Sequence, residues 1–357
     1  MSVLVSDIVV YGSASMPSDS VSTTGGAFAP ATRLAMNDIA ATGYVNYVSS
    51  SASDTACTIT ITGRDAAGVV QTEAKVVNGQ VTPISGAQLF QRILQGVASG
   101  TSAVGDLAVI SNTAISSGKV APTFVQATAS SPATMTLYTG DGALCSLGNV
   151  IRILSGTGQY QLRYIVGISG DTVQLNRSWD TLPASGTSTY GIYNGIVFDL
   201  LPQKVTTVRR PFYQASADVA GGSNRTFYEK VFLSNNNTST TLTGTTITLQ
   251  AVAAATGSNT WASTSATLEL ASCKVLNDTQ TTANRLTLPT NLDASALTFT
   301  TGSIPLATPQ TMAANSANLP YGGAAASAEG VWLALYLPAG AGSFNGSFTL
   351  RTQGQST

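Results

Sequence analysis

The chain of 357 residues contains no histidine. That removes the side chain most often used as a general base near neutral pH, and with it Ser-His-Asp and Cys-His hydrolases and the histidine-bearing zinc sites. Charge is scarce as well: Asp, Glu, Lys and Arg make up 9% of the residues, against about 25% in ordinary soluble domains. Sixteen Lys and Arg stand against seventeen Asp and Glu, a net charge of −1. No dense basic stripe is present to follow a phosphate backbone, and nucleic-acid binding is not expected. The three cysteines, Cys57, Cys145 and Cys273, are odd in number, far apart and without a CxxC pair. They read as buried free thiols rather than a disulfide framework or a metal site. No GxxxxGK[ST] occurs, so SGTG at Ser155 to Gly158 is a turn and not a phosphate cradle. No run reaches the ~20 apolar residues of a membrane helix. The opening MSVLVSDIVV lacks the basic region and apolar core of a secretory signal, so neither a membrane span nor a leader is expected. No regular internal period is found.

Gly, Ser, Thr and Ala fill the space left by charge. With 43% hydrophobic residues and almost no net charge, the composition is that of a folded chain rather than a disordered one. The length suggests two or three domains, each with its own core. A near-neutral surface of hydroxyls and small side chains repels partners weakly, which suits a protein packed in an assembly.

The periodicity is β throughout. From Gly148 to Tyr193 the apolar runs VIRIL, YQLRYIVGI and TVQLN each end at a cluster of Gly, Ser, Asp or Pro, which is hairpin grammar. SGTG joins the first two runs and SGD at Ser169 to Asp171 joins the next, with a last strand at Tyr190 to Phe198. On these strands Arg152, Arg163 and Arg177 are expected on the solvent face.

Upstream, strands are expected at Val3 to Tyr11, Tyr44 to Ser49, Cys57 to Gly63 and Val69 to Val77, the last two joined by the charged turn RDAAG. Gly12 to Pro30 is too rich in Ser, Gly and Pro for a helix or central strand. AQLFQRILQGV at Ala87 to Val97 has helical spacing but sits between Gly86 and Gly96 in a β context. It reads as a strand with a bulge, a short helix being the alternative. Ala121 to Tyr138 reads as a linker. Downstream, EKVFLSN, TTITLQAVA, SATLELASC, LTFTT, GVWLALYLP and GSFTLRTQ are short strands separated by polar turns, with Trp332 as a core anchor.

The expected architecture is therefore all-β. Two β-sandwich-like domains, residues 1–123 and 195–357, flank a small β-barrel-like or hairpin module at 124–194.

Catalytic candidates are few. Glycoside hydrolysis needs only two carboxylates, and Asp171 with Asp180, or Asp65 with Glu73, are the pairs available. They sit at turns and strand exits without an aromatic platform, so no catalytic residue is assigned. Oxygen ligands in NDTQ at Asn277 and GDG at Gly140 to Gly142 fall short of a calcium loop and read as turn chemistry. No metal or other cofactor is expected. The one concentration of charge is Arg209, Arg210, Arg225, Glu229 and Lys230. It reads either as a salt-bridge patch between molecules, with Arg209, Arg210 and Glu229 as the contacts, or as a solvated strand pair.

The stretch RILSGTGQYQLRYIVG…TVQLNRSWDTLP…STYGIY resembles a β-module of tailed-bacteriophage virion proteins, with its glycine turn, GQ and Arg-Ile stretch, and Arg, Trp and Pro turn. DIVVYGSASMP at Asp7 to Pro17, TITITGRDAAGVV at Thr58 to Val70, Arg209 to Asn237, and EGVWLALYLPAGAG at Glu329 to Gly342 are similar to phage structural proteins as well. The resemblance implies a non-enzymatic virion component made in the bacterial cytoplasm, with a capsid decoration or cement protein on the capsid surface as the leading expectation. Its partners would be the major capsid protein or other virion proteins and further copies of itself, a trimer matching local capsid symmetry. The alternatives are a receptor-binding fibre of head or tail and a head-tail or tail-associated component.

Overall fold

A computed structural model describes residues 7–14, 28–34, 43–100, 104–120, 123–125, 134–199, 205–218, 220–252, 255–256, 260–261, 264–273, 303–304, 310–314, 328–342, 346 and 348–357, together with 3, 26 and 287. The protein is all-β: the described residues form open sheets, with a short 3-10 turn at Gly142–Leu144 and no α-helix. None of these sheets closes into a barrel, so the middle segment is the hairpin-built alternative of the two expected. Contacts divide the chain into two compact units. One holds Met1–Val3, Ile8–Pro30 and Pro211–Thr357, the other Leu4–Asp7 and Ala31–Arg210.

In the second unit, Thr207–Arg209 runs parallel to the end of Phe28–Leu34 and antiparallel to Arg92–Ser99. Thr58–Arg64 and then Val70–Val76 continue that sheet. The stretch with helical spacing is a strand from Arg92 onward, because its neighbours on both sides are strands, whereas residues 87–91 precede it with only an isolated bridge from Phe90 to Gly43. Thr62 pairs with Gln95 while Gly63 pairs with Ile93, so Leu94 is the extra residue of a bulge. A four-stranded sheet has the order Gly195–Phe198, Leu107–Ser111, Val45–Ser49, Ile84–Ser85. A seven-stranded sheet runs Thr123–Val125, Thr134–Thr136, Thr172–Leu175, Leu162–Ser169, Val150–Ser155, Thr189–Tyr193, Ser116–Val120.

Alternation along Val150–Ser155 sends its residues to two different cores. Val150 joins Val48, Ile110, Leu162, Tyr164 and Val197, while Ile151 and Ile153 join Met135, Ile165, Val173, Trp179 and Tyr190. A strand buried on both faces has no solvent side. The expectation of a solvent face for Arg152 and Arg163 is therefore corrected: they are 6% and 0% exposed.

Three boundaries also differ from the sequence reading. The first strand is Ile8–Ser13 rather than Val3 to Tyr11. Ala121 to Tyr138, read as a linker, carries two strands that pair with each other, Thr123–Val125 and Thr134–Thr136. The run from Tyr190 to Phe198 is two strands, because the backbone leaves one sheet at Asn194 and enters the other. The carbonyl of Asn194 there accepts from the Ser111 amide, and its side chain accepts from Asn149 at 2.9 Å. Most of the loop from Gly12 to Pro30, the strand LTFTT and the motif at Asn277 lie outside the described residues.

In the first unit, Arg225–Asn235 pairs antiparallel with Ala328–Leu337 from Arg225↔Leu337 to Ser234↔Ala328, flanked by Ile8–Ser13 and by Ala266–Cys273. A second sheet is built on Leu242–Val252, whose longest partner is Phe348–Ser356. Trp332 is fully buried, as expected of a core anchor.

Candidate functional site

The chemistry-bearing groups of the second unit converge where Leu162–Ser169 meets the RSWD turn. The Arg163 guanidinium donates from Nη1 to Asp106 Oδ2 at 3.0 Å and pairs through Nη2 with Asp180 Oδ2 at 3.0 Å. Its Nε and Nη2 donate to the Ser178 carbonyl at 3.0 and 2.7 Å, and its plane lies over Trp179 at 5.1 Å. Arg177 bridges the same two carboxylates, reaching Asp180 Oδ1 at 2.6 Å and Asp106 Oδ2. Next to this square, Asn176 donates to Asp199 at 3.0 Å. Arg33 approaches the other Asp199 oxygen at 3.7 Å, lies over Tyr164 at 4.2 Å and donates to the Val197 carbonyl.

The electrostatics follow from burial. Burial pulls the Arg163 guanidinium below its ordinary value, with the neighbouring Arg177 charge adding to it and the two aspartates opposing. Burial pushes the Asp180 carboxyl up, but the hydrogen bond from Arg177 and the charges of Arg163 and Arg177 outweigh it, so the net shift is downward. Burial raises Asp199 to about 6 against the pull of Arg33. Such a network contributes little net stability but strongly penalises any arrangement that leaves one member unpaired, so it clasps the turn to the sheets in one register.

Of the acids weighed for hydrolysis, Asp180 is tied up in this square and the other three are engaged elsewhere. Asp171 accepts from the Gly140 and Gly142 amides at 3.0 to 3.1 Å, which is the turn chemistry expected of GDG. Asp65 accepts from Ala67 and Val69 and so closes the RDAAG turn. Glu73, 8% exposed, accepts from the Tyr47 hydroxyl at 3.0 Å and the Ala87 amide at 2.6 Å, and lies 3.4 Å from the Lys75 ammonium. Burial, then the Glu73 charge, raises the Tyr47 hydroxyl. Among the described residues no group of three or more potential metal ligands gathers.

The charge concentration read as a contact patch lies mostly inside. Arg209, Glu229 and Lys230 are fully buried, which corrects the reading of a solvated or partner-facing surface for them. Arg210, half-buried, donates from its amide to the Leu94 carbonyl and from Nε to the Ile93 carbonyl at 2.7 Å, stapling the bulge. Arg209 donates to the Arg210 carbonyl at 3.3 Å. Glu229 accepts from the Phe212 amide, and the Lys230 ammonium lies over the rings of Phe232 and Trp332 at 5.1 and 5.6 Å. Arg225 pairs with Asp218 at 3.0 Å. Arg209, Arg210 and Glu229 thus hold backbone in place.

Sequence reasoning passed over Glu329, on the central strand of the first unit. It is 5% exposed, neither carboxyl oxygen has a hydrogen-bond partner, and burial alone raises it to about 8. Cys57 and Cys145 are free thiols, the first buried and the second half-buried. The side chain of Cys273 lies outside the described residues. No protein-family model matches the chain, and neither a curated protein nor a solved structure matches it.

Proposed function

We propose that the chain is a non-enzymatic structural protein of a tailed-phage virion, a decoration or cement protein that binds the major capsid shell and stabilises it. The observation that carries this reading is the resemblance of Arg152 to Tyr193 to a virion β-module, with similar segments before and after it. The architecture supports it, since a shell-binding role suits stacked sheets held in one register, and Arg163 is fixed between them by Asp106, Asp180 and the Ser178 carbonyl. Low charge density supports it too, because a bland surface packs against a shell without strong repulsion.

The experiment is a difference reconstruction of the virion against particles lacking this protein. Density lost at many equivalent positions on the capsid surface is the expected result. Density lost only at the tail or at one vertex would overturn the decoration role in favour of a fibre or a tail-associated component.

A further inference from the structure

The strand Val70–Val76 ends its sheet, with Thr58–Arg64 on one side and no strand among the described residues on the other. Its hydrogen-bond phase follows from the two bonds that flank the pairing, Val77 N–H to the Cys57 carbonyl and Asp65 N–H to the Val69 carbonyl. Bonded pairs alternate along an antiparallel ladder, so Gln71, Glu73 and Lys75 point their amides and carbonyls inward to the neighbouring strand. Val70, Thr72, Ala74 and Val76 point theirs outward. The side chains of these same four residues are exposed, Val70 and Val76 by 51% and 53%. None of the four is charged, and none is proline or glycine. The lysine of the strand does not guard the edge either: Lys75 lies on the other face, its ammonium 3.4 Å from Glu73. Natural edges are blunted by charges on either face, by proline or by a bulge. This strand has no proline and no bulge, and its two charges, Glu73 and Lys75, lie on the inner face and offset each other at 3.4 Å.

We propose that this edge is a self-pairing site, at which a second copy of the chain adds its own Val70–Val76 strand antiparallel across a two-fold axis at Ala74. The phase of the outward groups restricts the register to a few choices, and the side chains select among them. With Ala74 opposite Ala74, Thr72 faces Val76, and Glu73 faces Lys75 of the second copy on both sides of the axis. Glu73 and Lys75 then occupy a non-bonded pair, where cross-strand side chains come closest. Each lysine lies between its own glutamate and that of the second copy. The register shifted by one step toward the strand start, centred on Glu73, would instead set Glu73 against Glu73, which like-charge repulsion disfavours. Only the smallest side chain of the outward set lies on the axis. The pairing joins two sheets into one and uses up this edge in both copies, so this contact closes at a dimer. It stands independently of the virion reading and differs from the trimer that capsid symmetry would suggest.

The test is sedimentation or light scattering of the full chain from low micromolar to sub-millimolar concentration. A dimer that dissociates on dilution is the expected result. Ala74→Lys, which sets two ammonium groups face to face at an exposed position, is expected to leave a monomer with unchanged circular dichroism and with the melting of the parent diluted to its monomer. Ala74→Cys is expected to give a covalent dimer on mild oxidation while Thr72→Cys does not, each compared with the parent chain and its own thiols. This readout holds even if the lysine variant fails to fold. A chain that stays monomeric throughout, or an oligomer that survives Ala74→Lys without cross-linking through Ala74→Cys, would overturn the proposal. Neither result bears on capsid attachment.

Discussion

Glu329 makes the stability of the first unit depend on pH in a direction opposite to that of a salt-bridged carboxylate. Its carboxyl is raised from 4.5 to about 8 by burial, with no partner to offset the cost of charge. Below about pH 4.5 the folded and unfolded chains both carry the proton, and the group is neutral to stability. As pH rises, the unfolded chain releases its proton while the folded chain keeps it, so stability falls until the folded carboxyl also ionises near pH 8. Each unit of separation corresponds to about 1.4 kcal/mol, so the full loss is on the order of 4 to 5 kcal/mol. Most of it has accumulated by neutral pH. Glu329→Gln keeps the shape and removes the titration.

Urea unfolding at a series of pH values, followed by tryptophan fluorescence in a Trp179→Phe background so that the signal comes from the first unit, where Trp332 lies three residues along the same strand, measures the effect. The difference between parent and variant cancels every other titrating group, including Asp199, whose raised value of about 6 acts in the same sense at the acid end. The variant is expected to gain on the parent steadily from pH 5 to pH 8 and then to hold a constant lead. Parallel curves across that range would refute the reasoning, since they would mean that the carboxyl finds water or a partner.

Arg163→Met removes the centre of the buried ion square while Arg177 still serves both aspartates, and a loss of about 3 kcal/mol in thermal or urea unfolding is expected. Gly142→Ala places a Cβ 2.0 Å from the Gly170 carbonyl oxygen and 2.8 Å from the Asp171 Cα, both backbone atoms, so a destabilisation above about 2 kcal/mol is expected. Gly170→Ala meets nothing within 4 Å and has only its φ of +57° to contend with; it should cost about 1 kcal/mol, and melting of the two variants side by side checks the order. Burial first, and then the charges of Asp141 and Asp171, push the Cys145 thiol up to about 11. Its alkylation should therefore be slow at neutral pH and rise steeply above pH 9, a rise that Cys145→Ser removes.

Elements whose signal is local were legible in the sequence. The hairpin at Ser169 to Asp171 needs only a glycine at positive φ between two alternating runs, and Gly170 supplies it. The bulge near Leu94 could be read because strands stand on both sides of it. What escaped was anything decided by a second covering layer. Arg152 and Arg163 look outward if one face of a strand is assumed wet, yet VIRIL and QLRYIV are apolar at both parities. That pattern means cover on both sides, and an arginine inside it has to bring its partners with it. Asp106, one of the partners of Arg163, lies 57 residues away in the chain and carries no local mark. Glu329 was hidden because a glutamate at the start of an apolar run looks like a strand end, whereas the paired strand continues past it to Ala328.

The crossing at Asn194 gives the second unit a load path. Tension on the chain at Phe198 is resisted first by the ladder to Leu107–Ser111, and a single residue later by the ladder to Val150–Ser155. No slack loop lies between the two to be drawn out first. The two sheets therefore share a pull as one fastened joint, and giving way in either transfers the whole force at once to the other.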